Sequence, residues 1–308
     1  MQENNQRRNP FIFAPALTFP IILILGIGGF VFSEPIEKNA VYIVSALLGL
    51  LVFGVPTVLF FRMRGGKWFA SCTMPVGARG WALAVSAALL LMVQSSFCHS
   101  LTVGDFFDYH IYTLYGIPFR INMDSFGSFI CAFLPLAVLP AFLEGIFFRG
   151  ILMHEYRYGG AVLSVFMSSL LYAMTGASFA SFPLYFLNGM LLAVTAFLTG
   201  NVFCSVLADL IYLLFAMLGE KYVLFLAEEE ETCIILLFFL VWLWITVAIF
   251  FFDTAENVLR KRGEKEHRKP FCLSVKNCAA ILYDIVAVPM LGADVLCFAV
   301  FAVLHLLV

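Results

Sequence analysis

Pro140-Ala-Phe-Leu-Glu-Gly-Ile-Phe-Phe-Arg-Gly150 sets a carboxylate, Glu144, and a guanidinium, Arg149, inside an apolar run long enough to cross a membrane. Ionisable groups at membrane depth are costly and rare, which makes both side chains candidate site residues. The composition around them fixes the solvent. Of 308 residues, 62% are hydrophobic and 12% charged, against about 45–50% and 25% in soluble domains. Several runs exceed the roughly 18 apolar residues of a candidate span. The chain therefore reads as an all-α, polytopic transmembrane helical bundle surrounded by membrane lipids. A net charge of −2 gives no basic footprint for nucleic acid.

Working outward from this stretch, about nine spans are expected, near 11–33, 41–61, 80–99, 127–153, 161–180, 184–199, 202–218, 232–252 and 280–308. The first follows Arg7 and Arg8 and exceeds the roughly 7–15 residues of a signal-peptide core, so it reads as a retained span. With the N-terminus cytoplasmic, inside segments carry 15 of the 18 Lys and Arg residues. Lys38, Arg120 and Lys221 alone fall outside, in keeping with the positive-inside rule. Three sections follow: 1–124 with the first spans and an outer loop, 125–216 as a core, and 217–308 with the last spans and a basic cytoplasmic loop.

The loops carry softer signals. Ser100–Phe126, with His110, reads as a half-buried interfacial loop or a substrate gate. Glu228–Glu231 reads as a solvated acidic turn, and Arg260–Lys276 as a basic loop facing anionic lipid. Cys131, Cys204, Cys233 and Cys297 sit in apolar runs as small apolar residues, while Cys272 and Cys278 could be acylated near the membrane. The two halves lack matching interrupted helices, which counts against an inverted-repeat transporter. An ion-coupled transporter or channel using Glu144 and Asp209 stays open as an alternative.

Regular helical spacing offsets Glu144 from Arg149 by about 140°, so they do not share a face. At about 1.5 Å per residue, Glu144 lies roughly 20 Å from the inner end of its helix, Asp209 about 12 Å and Thr175 about 18–20 Å. One polar pocket holding Glu144, Arg149, Tyr172, Thr175 and Asp209 is geometrically open. Arg149 cannot lose its proton and so cannot be a base; it reads as an ion-pair partner, with Asp209 as counter-ion. Asn188 reads as glue between helices. Asp294 is either a second buried partner or a mark of an interfacial last span, and His154 and His305 sit near helix ends.

Leu143-Glu-Gly-Ile-Phe-Phe-Arg-Gly150 resembles the first motif, Glu-Glu-x-x-x-Arg, of the CAAX-prenyl-protease and bacteriocin-processing family of intramembrane proteases (CPBP, also called ABI). Glu144 matches the first Glu, Arg149 the Arg and Gly150 the trailing Gly, while Gly145 replaces the second Glu. In the second motif, Phe-x-x-x-His, Tyr172 stands for the Phe and Gly176 for the His. Leu198-Thr-Gly-Asn-Val202 resembles the turn before the third motif, which puts Asp209 at the His position and Leu213 at the Asn position. The resemblance spans roughly 125–216.

It implies an endopeptidase fold in which Glu144 would activate water, with Asp209 as second carboxylate and Tyr172 or Thr175 as donors. It implies a membrane peptide or protein as substrate, or a bacteriocin self-protection role if proteolysis is degraded. The short loops resemble the family's bacterial branch, hence a bacterial plasma membrane. Neither a cofactor nor a metal is assigned, since two carboxylates without His make a poor zinc set. The missing second Glu leaves Arg149 without a helical partner four residues back. Asp209 would replace it, and Gly145→Glu is expected to rescue part of the loss caused by Asp209→Ala.

Overall fold

The computed structural model describes residues 10–32, 35–36, 39–64, 72–73, 75–101, 111–121, 126–157, 160–227, 230–266 and 289–307. Outside these fall His110, Cys272, Cys278, Glu228, Arg7, Arg8 and most of the basic loop. Helix α1 covers Pro10–Val31. Helix α2 runs Asn39–Gly49, loosens into a π-helical turn at Leu50–Gly54 and continues as Val55–Arg64. Helix α3 is Ala78–Ser100. A two-stranded hairpin, β1 Ile111–Leu114 and β2 Ile117–Arg120, precedes the fourth rod. That rod, α4, comprises Phe126–Phe133, Leu134–Val138, Leu139–Glu144, Gly145–Leu152 and Met153–Tyr156. Then come α5 Ala161–Met174, α6 Phe182–Thr199, α7 Val202–Leu218, α8 Glu220–Leu226, α9 Glu230–Glu266 and α10 Pro289–Leu307.

Each expected span overlaps a helix among the described residues, but the expected count of nine membrane-crossing spans is not reached. Among the described residues six helices are long and apolar enough to cross a membrane, and a seventh if α7 and α8, bent by 51°, count as one. Helix α5 has 14 residues, and the apolar part of α10 is also short. At 1.5 Å per residue α5 extends only about 21 Å, less than the roughly 30 Å hydrocarbon core. Helix α9, by contrast, has 37 residues; its spanning part is only 17% buried within the protein, so it lies on the rim of the bundle.

Proline explains the first of two places where α4 departs from regularity. Pro135 and Pro140 lack the N–H that closes a helical turn, and the π-helical stretch Leu134–Val138 lies around the first of them. The second π-helical stretch, Gly145–Leu152, begins directly after Glu144 and contains Arg149. Closure from i to i+5 brings residues five apart toward one face, where a regular helix would splay them. Glu144 and Arg149 therefore lie closer together around the axis than regular spacing predicts.

Close helix contacts rest on small residues, as expected where lipid offers no hydrophobic drive. A side chain at Gly189 on α6 would press on Tyr172 and on the Ser169 backbone of α5. Polar pairs clip other helices together. Gln94 Nε2 on α3 donates to Asn188 Oδ1 on α6 at 3.0 Å, the role expected of Asn188. Glu220, at the bend before α8, accepts from Ser95 Oγ at 2.8 Å and lies 2.9 Å from His99 Nδ1, both on α3. Thr18 Oγ1 on α1 donates to Asp294 Oδ2 on α10 at 2.6 Å, and Asp294 is fully buried. Of the two readings of Asp294, the buried partner is the one observed.

The last pair gives a direct test. Interhelical hydrogen bonds in membranes contribute about 0.6 kcal/mol on average and up to about 1.7. Asp294→Ala should lower stability in detergent unfolding by about 1 kcal/mol, whereas Asp294→Asn, which still accepts from Thr18, should match the natural protein. Equal losses in the two variants would show that the Thr18 contact does not hold α1 to α10.

Candidate functional site

Glu144 is placed by α4 at the junction of its regular and π-helical parts, and it is 4% exposed. The Tyr115 hydroxyl donates to its Oε1. Tyr172, on α5, brings a second hydroxyl to the same carboxylate. Phe53 of α2 packs on Tyr115 with ring centroids 5.4 Å apart, and on Phe148 at 5.7 Å. Phe148 meets Tyr172 at 5.2 Å, and Tyr172 meets Tyr185 at 5.7 Å. The carboxylate thus sits in an aromatic enclosure with two phenolic hydroxyls directed at it.

Tyr115 comes from outside the helical core. It stands at the tip of the hairpin with φ 55°, followed by Gly116 with φ 77°. Positive φ at both central residues gives the two-residue turn whose twist suits a β-hairpin. Tyrosine is uncommon in that region and costs on the order of 1–2 kcal/mol there. The surrounding packing compensates: Tyr115 is 1% exposed, and Ile117 and Phe119 are fully buried. Burial, and next the nearby Glu144 charge, push the Tyr115 phenol well above its ordinary range, so it stays a donor. The tip also abuts the second-motif position, since a Cβ on Gly116 would lie 3.6 Å from the Gly176 carbonyl oxygen.

Arg149 points its charge toward α7. Its Nη1 lies 3.6 Å from Asp209 Oδ2, with both side chains at most 3% exposed. The guanidinium also covers the Tyr172 ring, 4.5 Å from the centroid, a favourable cation–π arrangement. Four of the five expected site residues therefore meet: Glu144, Arg149, Tyr172 and Asp209. Thr175 is buried nearby in sequence, but its hydroxyl is spent on the Tyr172 carbonyl at 2.6 Å. Tyr115 is the residue that spacing arguments passed over. Its signal was the Tyr-Gly pair between the alternating runs Ile111–Leu114 and Ile117–Arg120, a hairpin pattern inside a loop read only by composition.

The vacant family positions have local causes. A Cβ on Gly145 would drive into Val206 Cγ2 of α7, so glycine lets α7 approach close enough for Asp209 to reach Arg149. A Cβ on Gly176 would lie 3.0 Å from Ser181 Oγ and 3.4 Å from the Tyr185 ring, so Tyr185 crowds the space a histidine would need. Among the described residues no three His, Cys, Asp or Glu side chains gather as a metal site. Two carboxylates, one already facing Arg149 and the other bonded to Tyr115, do not fit a zinc ion.

Residues 126–215 match the family model of the Rce1-like type II CAAX prenyl endopeptidases. The CAAX-protease (CPBP) resemblance of the Glu144–Gly150 motif is thus supported over the same helices, under a third of the chain. No curated protein and no solved structure matches the chain.

Removing one member of a buried ion pair strands the other, at about 3–5 kcal/mol. Asp209→Ala should destabilise the protein by about that amount in detergent unfolding. The structure corrects the expected rescue: Gly145→Glu alone should fail, because Val206 occupies the space, and Gly145→Glu with Val206→Ala should recover part of the loss. Recovery by Gly145→Glu without the Val206 change would contradict this packing.

Proposed function

We propose that residues 126–215 form an intramembrane-protease fold whose hydrolytic centre is closed, and that the chain binds a membrane peptide or protein without cleaving it. The observation that carries this reading is the Tyr115 hydroxyl seated on Glu144 within a buried aromatic enclosure. A general base needs a water, or a substrate proton, within about 2.6–3.2 Å. Here one carboxylate oxygen is already engaged by a phenol, and the histidine positions of the second and third motifs hold Gly176 and Asp209. Asp209 faces Arg149, so it is committed to neutralising that charge and is poorly placed to assist a water on Glu144.

A second reading has one observation in its favour. Tyr115 and Tyr172 both direct hydroxyls at the Glu144 region, and phenols are competent donors to a developing oxyanion. In that reading Glu144 is the base of a working endopeptidase and the hairpin completes the site.

One assay separates the two. Purified protein in proteoliposomes is given fluorogenic membrane-peptide substrates, alongside Glu144→Gln and Tyr115→Phe. The closed-site reading expects no cleavage above background in any of the three, with the peptides still captured by photo-cross-linking. Cleavage by the natural protein that falls about 100-fold or more in Glu144→Gln, the usual weight of a general base, would overturn it. A parallel fall in Tyr115→Phe would then assign Tyr115 as donor.

A further inference from the structure

Asp294 is a buried carboxyl that the Glu144 site does not use. It is 0% exposed in the α1–α10 interface, and its Oδ1 has no hydrogen-bond partner. Among the described residues no cationic side chain pairs with it; the ion pairs there are His99 with Glu220 and Arg149 with Asp209. Helix α1 contains no ionisable residue at all. The titratable groups within electrostatic reach are Tyr156 at the end of α4, itself beside Glu155, and Cys297 on α10. None of these supplies a positive charge. Asp294 also lies five residues in from Pro289, beyond the first turn of α10, whose free N–H groups would favour an anion.

A buried charge without a partner is avoided by neutralising the group. The hydrogen bonds around Thr18 fit that outcome. Its Oγ1 lies 2.6 Å from Asp294 Oδ2 and 3.1 Å from the Pro15 carbonyl oxygen. A hydroxyl has one hydrogen to give and two lone pairs to receive with. Given to an ionised Asp294, that hydrogen leaves the Pro15 contact without a proton and Oδ1 as a bare buried anion. The 2.6 Å contact reverses when the carboxyl carries a proton. Asp294 Oδ2 then donates to Thr18, Thr18 donates to Pro15, and Oδ1 is left as an uncharged carbonyl oxygen.

We propose that Asp294 is a proton-binding site within the bundle: the folded protein holds it as the neutral acid, and its ionisation unfastens α10 from α1. The effect reaches further than one contact. Phe298 lies four residues on along the same side of α10, and its ring meets Phe179 and Phe182, each with centroids 5.4 Å apart. These two residues flank the turn between α5 and α6. The proton thus keeps α10 against both α1 and that turn, which also carries Gly176. The site holds whether or not Glu144 is hydrolytic.

The sign of the pH effect follows. In the unfolded chain Asp294 meets water and ionises near about pH 4. A group protonated when folded and ionised when unfolded withdraws its stabilisation as pH rises. Asp294→Asn keeps the shape and the Thr18 contact but cannot ionise. In thermal unfolding of the full-length protein in detergent, between about pH 5 and about pH 9, the natural protein should lose at least about 4 °C of Tm relative to Asp294→Asn. Should that variant fail to fold, Asp294→Leu, equally unable to ionise, replaces it. The infrared difference between the natural protein and the variant at neutral pH should show the C=O band of a protonated carboxyl. Sodium chloride and choline chloride at matched ionic strength should give equal Tm values. The proposal is overturned if the Tm difference is constant across the pH range, or if the missing band is that of a carboxylate. It is also overturned if sodium stabilises the natural protein and not the variant, which would make Asp294 a metal-cation ligand.

Discussion

A guanidinium that cannot shed its proton sits among apolar helices, and much of the core follows from accommodating it. Arg149 needs a counter-charge within a few ångströms, and Asp209 on α7 provides one at 3.6 Å. To bring Asp209 that close, α7 must press against α4, and glycine at 145 leaves room for Val206 to do so. Tyr172 of α5 then lies under the cation, tying a third helix to the pair. In the family the sequence resembles, the carboxylate at position 145 would sit on the same helix as the arginine. Moving the counter-charge to α7 changes the pair from a local helix contact into an interhelical tie. It also consumes the position that the family gives to a histidine.

The hairpin imposes a second constraint. Its tip places Tyr115 against Glu144 at the cost of an uncommon backbone conformation. Strain of this kind persists only where surrounding packing over-determines it, and Phe53 and the buried strand residues Ile117 and Phe119 provide that packing. The carboxylate is therefore enclosed by the hairpin. Two residues five apart on one helix share Tyr172 but differ in their other partner: Glu144 meets the Tyr115 hydroxyl, and Arg149 meets the Asp209 carboxylate.

Much of this was legible in the sequence. Long apolar runs located the helical rods, and the isolated charges of the Glu144–Gly150 motif located the core. Asp209 could be matched to Arg149 because a buried cation requires a partner and depth along each helix could be estimated. What escaped has identifiable causes. Regular spacing placed Glu144 and Arg149 on different faces because the π-helical stretch at Gly145–Leu152 depends on how α4 packs, which periodicity does not encode. Spanning length was over-read for α5, whose expected span ran on to 180 through a mixed Thr, Gly, Ser and Ala stretch, whereas the helix ends at Met174. Tyr115 was hidden by reading an aromatic-rich loop through its composition, although Tyr-Gly between alternating runs marked the turn. Gly145 read as a lost carboxylate; its packing reason lies on another helix and cannot be seen along one strand of sequence.

The claim that the Arg149–Asp209 tie organises the core is tested most directly by a double-mutant cycle in reversible unfolding. Arg149→Met, Asp209→Leu and the double variant replace the charges with apolar groups of similar size. Each single change should be costly because it strands the other charge, and the double should be much less so. This corresponds to a coupling of at least about 1 kcal/mol, within the range for contacting residues. Losses that simply add would contradict the tie and leave the two charges as neighbours without mutual dependence.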